Sequence, residues 1–198
     1  MRDGTHTRRR IEAEALHLFA RKGVDATSVR DIAQAVGVSE GALYRHTRSK
    51  EALARGLFEE AYADLARQVL NAAPGAPIEA VVRAVVAIFC RLFDESRDLF
   101  AFLLLTQHDY LSTVPVDASR NVVEAVKTRF SAAIDAGEIP RRDVEELSAL
   151  ALGLVAQPAT FTLYGRLAGP LSTRAETMAQ AILAIARTPA PERLPTPG

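Results

Sequence analysis

Apolar residues recur along this chain at i, i+3 and i+4 almost from end to end, and the alternation that marks a half-buried strand is absent. The pattern predicts an all-α protein of about nine helices. The first covers Thr7 to Lys22, with Ile11, Ala15, Leu18 and Phe19 on one face and Gly23 just beyond, where a left-handed C-cap favours glycine. Thr27 or Ser28 caps a short second helix carrying Val29, Ile32 and Ala33, and Ser39 caps a short third that ends near Arg45. Ser49 caps a fourth with an inner stripe of Leu53, Leu57, Ala61 and Leu65. Residues 71–77 break the pattern. A strongly periodic fifth helix follows, with Ile78, Val81, Val82, Val85, Phe89 and Leu92 on its inner face. A Phe- and Leu-rich stretch over 98–111 comes next, then a proline loop at 114–116. Three more helices are predicted over 118–136, 143–166 and 172–187, separated at Gly137 and at Gly169-Pro170. The tail over 188–198 holds four prolines in eleven residues, a composition expected to stay disordered.

The most informative stretch is 29–46. Two short helices flank Val36-Gly37-Val38, with a small residue, Ala33, where the helices cross and glycine where a tight turn needs positive φ. Val29, Ile32, Val36, Val38 and Leu43 would fill the core between them. The third helix would then present Glu40, Gly41, Ala42, Tyr44 and Arg45 to a DNA major groove. A plain helical corner uses the same small and apolar residues, so spacing alone leaves both readings open.

Charge shifts the balance. The net charge is zero over 198 residues, but residues 1–55 carry +4 and the remainder −4, which suggests a local anionic partner for the first quarter. The composition, 48% hydrophobic and 24% charged, is that of a packed globular protein. The one cysteine, Cys90, excludes an intramolecular disulfide and the usual cysteine metal sites, and fits a reducing cytoplasm. The first ten residues are polar and basic, unlike a secretory leader. Residues 147–165 lack a formal charge over nearly spanning length, but Ser148, Gly153, Gln157, Pro158, Thr160 and Thr162 favour a buried or interface helix, with no membrane partner. The histidines (His6, His17, His46, His108) are scattered. No phosphate loop, metal-ligand pair or nucleophile with a base stands out, so neither an enzyme, a metal nor a cofactor is expected.

The wider segment resembles the N-terminal domain of the TetR family of regulators. The residues that carry the likeness are Ile11, Ala15, Phe19 and Gly23, the run Ala-Thr-Ser-Val-Arg-Asp-Ile-Ala at 26–33, Gly-Val-Ser-Glu-Gly-Ala-Leu-Tyr-Arg-His at 37–46, and Ser-Lys-Glu-Ala-Leu at 49–53. The resemblance implies a helix-turn-helix domain over 1–52 and a helical ligand-binding and dimerisation domain over 53–187. It also implies double-stranded DNA with a palindromic operator as partner, a homodimer, and a small-molecule effector that releases a repressor. A constitutive DNA-binding or architectural protein of the same fold is the alternative. One departure is Thr47, where the family usually has a phenylalanine that packs the third helix on the fourth.

DNA-contacting candidates are Thr27, Ser28, Ser39, Glu40, Gly41, Ala42, Tyr44, Arg45, His46 and Lys50. The start of the second helix, with hydroxyls at Thr27 and Ser28, suits a phosphate. The resemblance implies phosphate contacts for Tyr44 and Lys50. Arg45 has the bidentate geometry for guanine, with a phosphate contact as its alternative. Glu40 could accept from cytosine N4. Arg8, Arg9 and Arg10 would extend along the backbone or remain a solvated tail.

Eight of the twelve aromatic residues lie between Phe89 and Tyr164. They read either as core or as the wall of an apolar cavity. The resemblance places that cavity among the fifth to eighth helices, with Phe89, Phe93, Phe102, His108, Gln157, Thr160, Phe161 and Tyr164 as ligand candidates. It also pairs the last two helices across a two-fold axis, and their small residues allow close approach. Pro158 is expected to kink its helix.

Overall fold

A computed structural model describes residues 2–189 and the side chains from residue 6 onward. The described residues form nine α-helices and no strand: α1 (Arg2–Lys22), α2 (Val29–Val36), α3 (Glu40–Leu43), α4 (Lys50–Leu70), α5 (Ile78–Glu95), α6 (Arg97–Tyr110), α7 (Val122–Asp135), α8 (Val144–Leu163) and α9 (Ala175–Arg187). The predicted all-α class is what the structure shows. The tail expected to be disordered lies outside the described residues beyond Pro189.

The boundaries move where local capping competes with helix pattern. Asp117 accepts from the Ser119 amide at 2.9 Å, and Asn121 caps α7 by accepting from Val123 N–H at 3.0 Å. Residues 118–120 are thereby held as turn, and α7 starts at Val122. A 3-10 turn over Leu171–Arg174 delays α9 to Ala175 in the same way. Helix α8 runs through Pro158 without a break. By length and composition α8 is long and apolar enough to cross a membrane, with a third of its apolar window buried.

The chain clusters into two compact units, and each interrupts the other in sequence. The first unit runs up to Leu65 and takes in Leu92–Pro115, and the second comprises Ala66–Arg91 and Val116 onward. This differs from a linear division at residue 52. In the first unit α6 packs on α1: Phe19 and Phe102 stack with ring centroids 6.0 Å apart, and His17 meets Asp98 at 2.7 Å. On α4, Phe58 stacks with Tyr62 at 5.1 Å and meets Tyr110 at 5.3 Å. The second unit packs valines of α5 with Phe130, Leu147, Val155 and Ile182, all buried. Its helices are tied by the Arg83–Glu176 ion pair at 3.1 Å and by Arg187 on Glu79.

Candidate functional site

The local geometry of residues 27–50 follows from its polar side chains. Ser28 is the N-cap of α2. Its hydroxyl accepts from Asp31 N–H at 3.0 Å, while Asp31 accepts from Ser28 N–H at 3.0 Å. These bonds, the backbone one first, hold the Asp31 carboxyl below the usual carboxylate range. At the other end Gly37 adopts φ +76°, and its N–H and that of Val38 both reach Ala33 O at 3.0 Å. A Cβ at Gly37 would meet nothing within 4 Å, so glycine is required there for backbone conformation and not for space.

Ile32, Ala33, Val36 and Leu43 are buried and set the angle between α2 and α3. Arg10 crosses from α1 to donate to Val36 O at 2.6 Å, which pins the turn from behind. Ser39 caps α3 by accepting from Ala42 N–H at 3.2 Å. The outward face carries Glu40, Gly41, Tyr44 and Arg45, all exposed, while Ala42 and His46 are half-buried. Tyr44 is 53% exposed although aromatic.

Two of the residues proposed for DNA are engaged internally. Thr27 is buried and donates to Gly23 O at 2.8 Å, so its hydroxyl closes the turn after α1 and Ser28 alone faces out. The Lys50 ammonium donates to Val24 O and to Asp25 O, both at 2.9 Å, and its side chain is only 19% exposed. Two of its three donors therefore tie the start of α4 to the turn before α2. Arg10 was legible in the sequence only as part of a basic run; its role depends on a carbonyl 26 positions away.

Thr47 donates to Ser49 O at 2.8 Å and borders a hollow of about 240 Å³. Ile11, Leu53 and Leu57 form its floor; small residues Thr47, Ala52 and Gly56 leave it open; Arg8, Glu12 and Glu60 stand at its rim. Thr47→Phe is expected to fill this hollow and stabilise the first unit by about 1–2 kcal/mol, the value of burying an aromatic ring discounted for partial fit. Urea denaturation measures it, and unchanged or lowered stability would show that the hollow cannot accept the ring.

In the second unit, Val69, six apolar residues of α5, and residues of α7, α8 and α9 line a cavity. Only about 30 Å³ of it is wide enough to seat water, so it is a narrow slot. Its open surface is wholly apolar. Of the eight ligand candidates, Phe89 alone lines it. Phe93 stands edge-on to Phe100 at 5.2 Å under the Arg97 guanidinium, Phe102 is fully buried on Phe19, and His108 is exposed; all three belong to the first unit. Gln157, Phe161 and Tyr164 are exposed on the outer face of α8, and Thr160 donates to Ala156 O at 2.8 Å. Aromatic content pointed to these positions, but the cavity is built mainly from valines, which read from sequence as ordinary core. Arg129 also lines it, and nothing in the sequence distinguishes that arginine from a solvated one.

Comparison with known proteins agrees with this construction. Residues 11–57 match the family described as bacterial regulatory proteins, tetR family. An uncharacterised HTH-type transcriptional regulator, YerO of Bacillus subtilis, is 29% identical over 158 residues, 74% of this chain and 52% of the relative. The chain thus spans about half the length of that relative. The solved structure of PfmR, a TetR family transcriptional regulator from Thermus thermophilus, is 25% identical with a TM-score of 0.73 over 88% of this chain and 97% of the other. FadR of Bacillus subtilis, solved with stearoyl-CoA, is 16% identical with a TM-score of 0.71 over 88% and 97% of the two chains, a likeness of fold alone.

Proposed function

Since residues 11–57 match the tetR family of bacterial regulatory proteins, we propose that this chain is a DNA-binding transcriptional regulator of that family, a repressor that binds a palindromic operator as a homodimer and is released by a small apolar effector. The observation that carries the reading is the helix-turn-helix itself. Gly37 and two serine caps fix it, Arg10 braces it, and it turns Tyr44 and Arg45 outward while burying Leu43. Ser28, Tyr44 and the remaining Lys50 donor are assigned to phosphates and Arg45 to a base edge.

The homodimer is supported by the outer face of α8. Ala149, Leu150, Gly153, Phe161 and Tyr164 are exposed there in helical register, an apolar stripe of the kind that a second copy covers. Two recognition helices about 34–36 Å apart would then read both half-sites. Regulators act on the chromosome, which puts the protein in the cytoplasm. The thinness of the cavity favours a second reading, a constitutive DNA-binding protein of this fold without an effector.

The test is selection of DNA sites from genomic fragments, followed by light scattering and fluorescence anisotropy. A near-palindromic site bound by a dimer is expected. Arg45→Ala should cost about 1–3 kcal/mol and relax preference at one base position. Equal weakening on every sequence would make Arg45 a phosphate contact, and a monomer on a single half-site would refute the dimer.

A further inference from the structure

Of the exposed residues on the outward face of α3 and the turn after it, Glu40, Gly41, Tyr44 and Arg45, Glu40 alone carries a charge that DNA repels. It is the first residue of α3, and the residues at the start of a recognition helix are those that reach base edges. Among the described residues the Glu40 side chain makes no hydrogen bond or ion pair, and neither does that of Arg45. The two stand on one element with opposite charges and do not neutralise each other. Ser39 caps α3 by accepting from Ala42 N–H, so the fold makes no use of the Glu40 carboxylate. An acid that the fold does not need stands on the face that the rest of this unit, with its net positive charge over 1–55, offers to a polyanion.

We propose that Glu40 selects cytosine in the operator half-site, its carboxylate accepting from the N4 amino group in the major groove. The inference rests on the DNA-binding reading above and adds which base this face requires. An ionised carboxylate only accepts, and one base edge suits it fully. Guanine presents the acceptors N7 and O6, and thymine presents O4 and a methyl group. Adenine has an N6 amino group, but the N7 acceptor beside it repels a carboxylate. Cytosine presents N4–H with no acceptor next to it. Where that donor is lacking, the carboxylate loses water without gaining a partner and still faces the phosphates, so Glu40 rejects other sequences as well as favouring its own. The rise from Glu40 to Arg45 is about 7.5–10 Å, between the α-helical and 3-10 values. At about 3.4 Å per base pair, a cytosine met by Glu40 lies about two to three pairs from the guanine met by Arg45.

The probes are duplexes enriched from a randomised library by the full chain, with affinity read by fluorescence anisotropy. A cytosine is expected at one fixed place in each half-site, about two to three pairs from a required guanine. Replacing it by thymine or by N4-methylcytosine should weaken wild type about tenfold, the cost of one unmet base contact. N4-methylcytosine still pairs with guanine but turns a methyl group into the major groove in place of the free N–H. Glu40→Ala should bind the cytosine, thymine and N4-methylcytosine duplexes within about twofold of one another, since no group is left to tell them apart. Glu40→Gln should prefer adenine there, through N6 and N7. The side chain is exposed and without a partner, so both variants are expected to fold, and circular dichroism checks this. A cytosine preference that survives in Glu40→Ala overturns the proposal, as does tighter binding of that variant to every duplex alike, which would make the carboxylate a repulsive group only. Enriched duplexes without a cytosine requirement remove this assignment and leave the regulator standing. Failure of wild type to enrich any duplex removes the DNA-binding reading and this assignment with it.

Discussion

Phe102→Ala is expected to lower the folding free energy of the first unit by about 3–5 kcal/mol, the usual cost of truncating a fully buried phenylalanine. Phe102 has no exposed surface, and its ring stacks on Phe19 at 6.0 Å between α6 and α1. Removing it leaves a cavity at the contact that seats α1. Arg10, on the same helix, braces the turn between α2 and α3 through Val36 O. DNA affinity should therefore fall for all sequences alike, in step with the population unfolded. Urea denaturation followed by circular dichroism gives the stability, and anisotropy gives the binding. A loss under about 1 kcal/mol together with a changed response to apolar ligands would return Phe102 to a ligand-contacting role.

The second large effect is expected at Lys50. Lys50→Ala removes both hydrogen bonds from the ammonium to Val24 O and Asp25 O. Bonds from a charged donor are worth about 1.5–3 kcal/mol each when buried, and these are partly exposed, so about 2–3 kcal/mol in total is expected. The loss concentrates in the turn that sets the start of α2, and hence the pose of Ser28. If the remaining donor also meets a phosphate, the dependence of log K on log salt should fall by about 1. The two roles separate cleanly. A stability loss with an unchanged salt slope makes Lys50 a clamp alone. A shallower slope at unchanged stability makes it a phosphate contact alone and would mean that its carbonyl bonds contribute nothing to folding.

By itself the sequence determined the helical class, the turn at Gly37 and the caps at Ser28, Ser39 and Ser49. These depend on interactions within a few residues: a serine oxygen reaching an amide three positions on, a glycine free to take positive φ, and apolar residues repeating with the helical period. The local structure of residues 26–53 was legible for the same reason, since its turns, caps and helix faces follow from nearest neighbours and periodicity.

Tertiary structure decided the rest. It turned Thr27 and Lys50 inward, because their oxygen partners belong to the turn after α1. It packed α6 on α1 and put the end of α5 in the same unit, so that Phe93, Phe102 and His108 fell in the first unit while the cavity formed in the second. It also drew Arg129 under the end of α4, 57 positions from its Ala72 partner. An aromatic ring or a guanidinium has the same local pattern whether it faces core, cavity or solvent. Only the packing of helices distant in sequence tells these apart, because burial is a property of the neighbours that arrive and not of the residue itself.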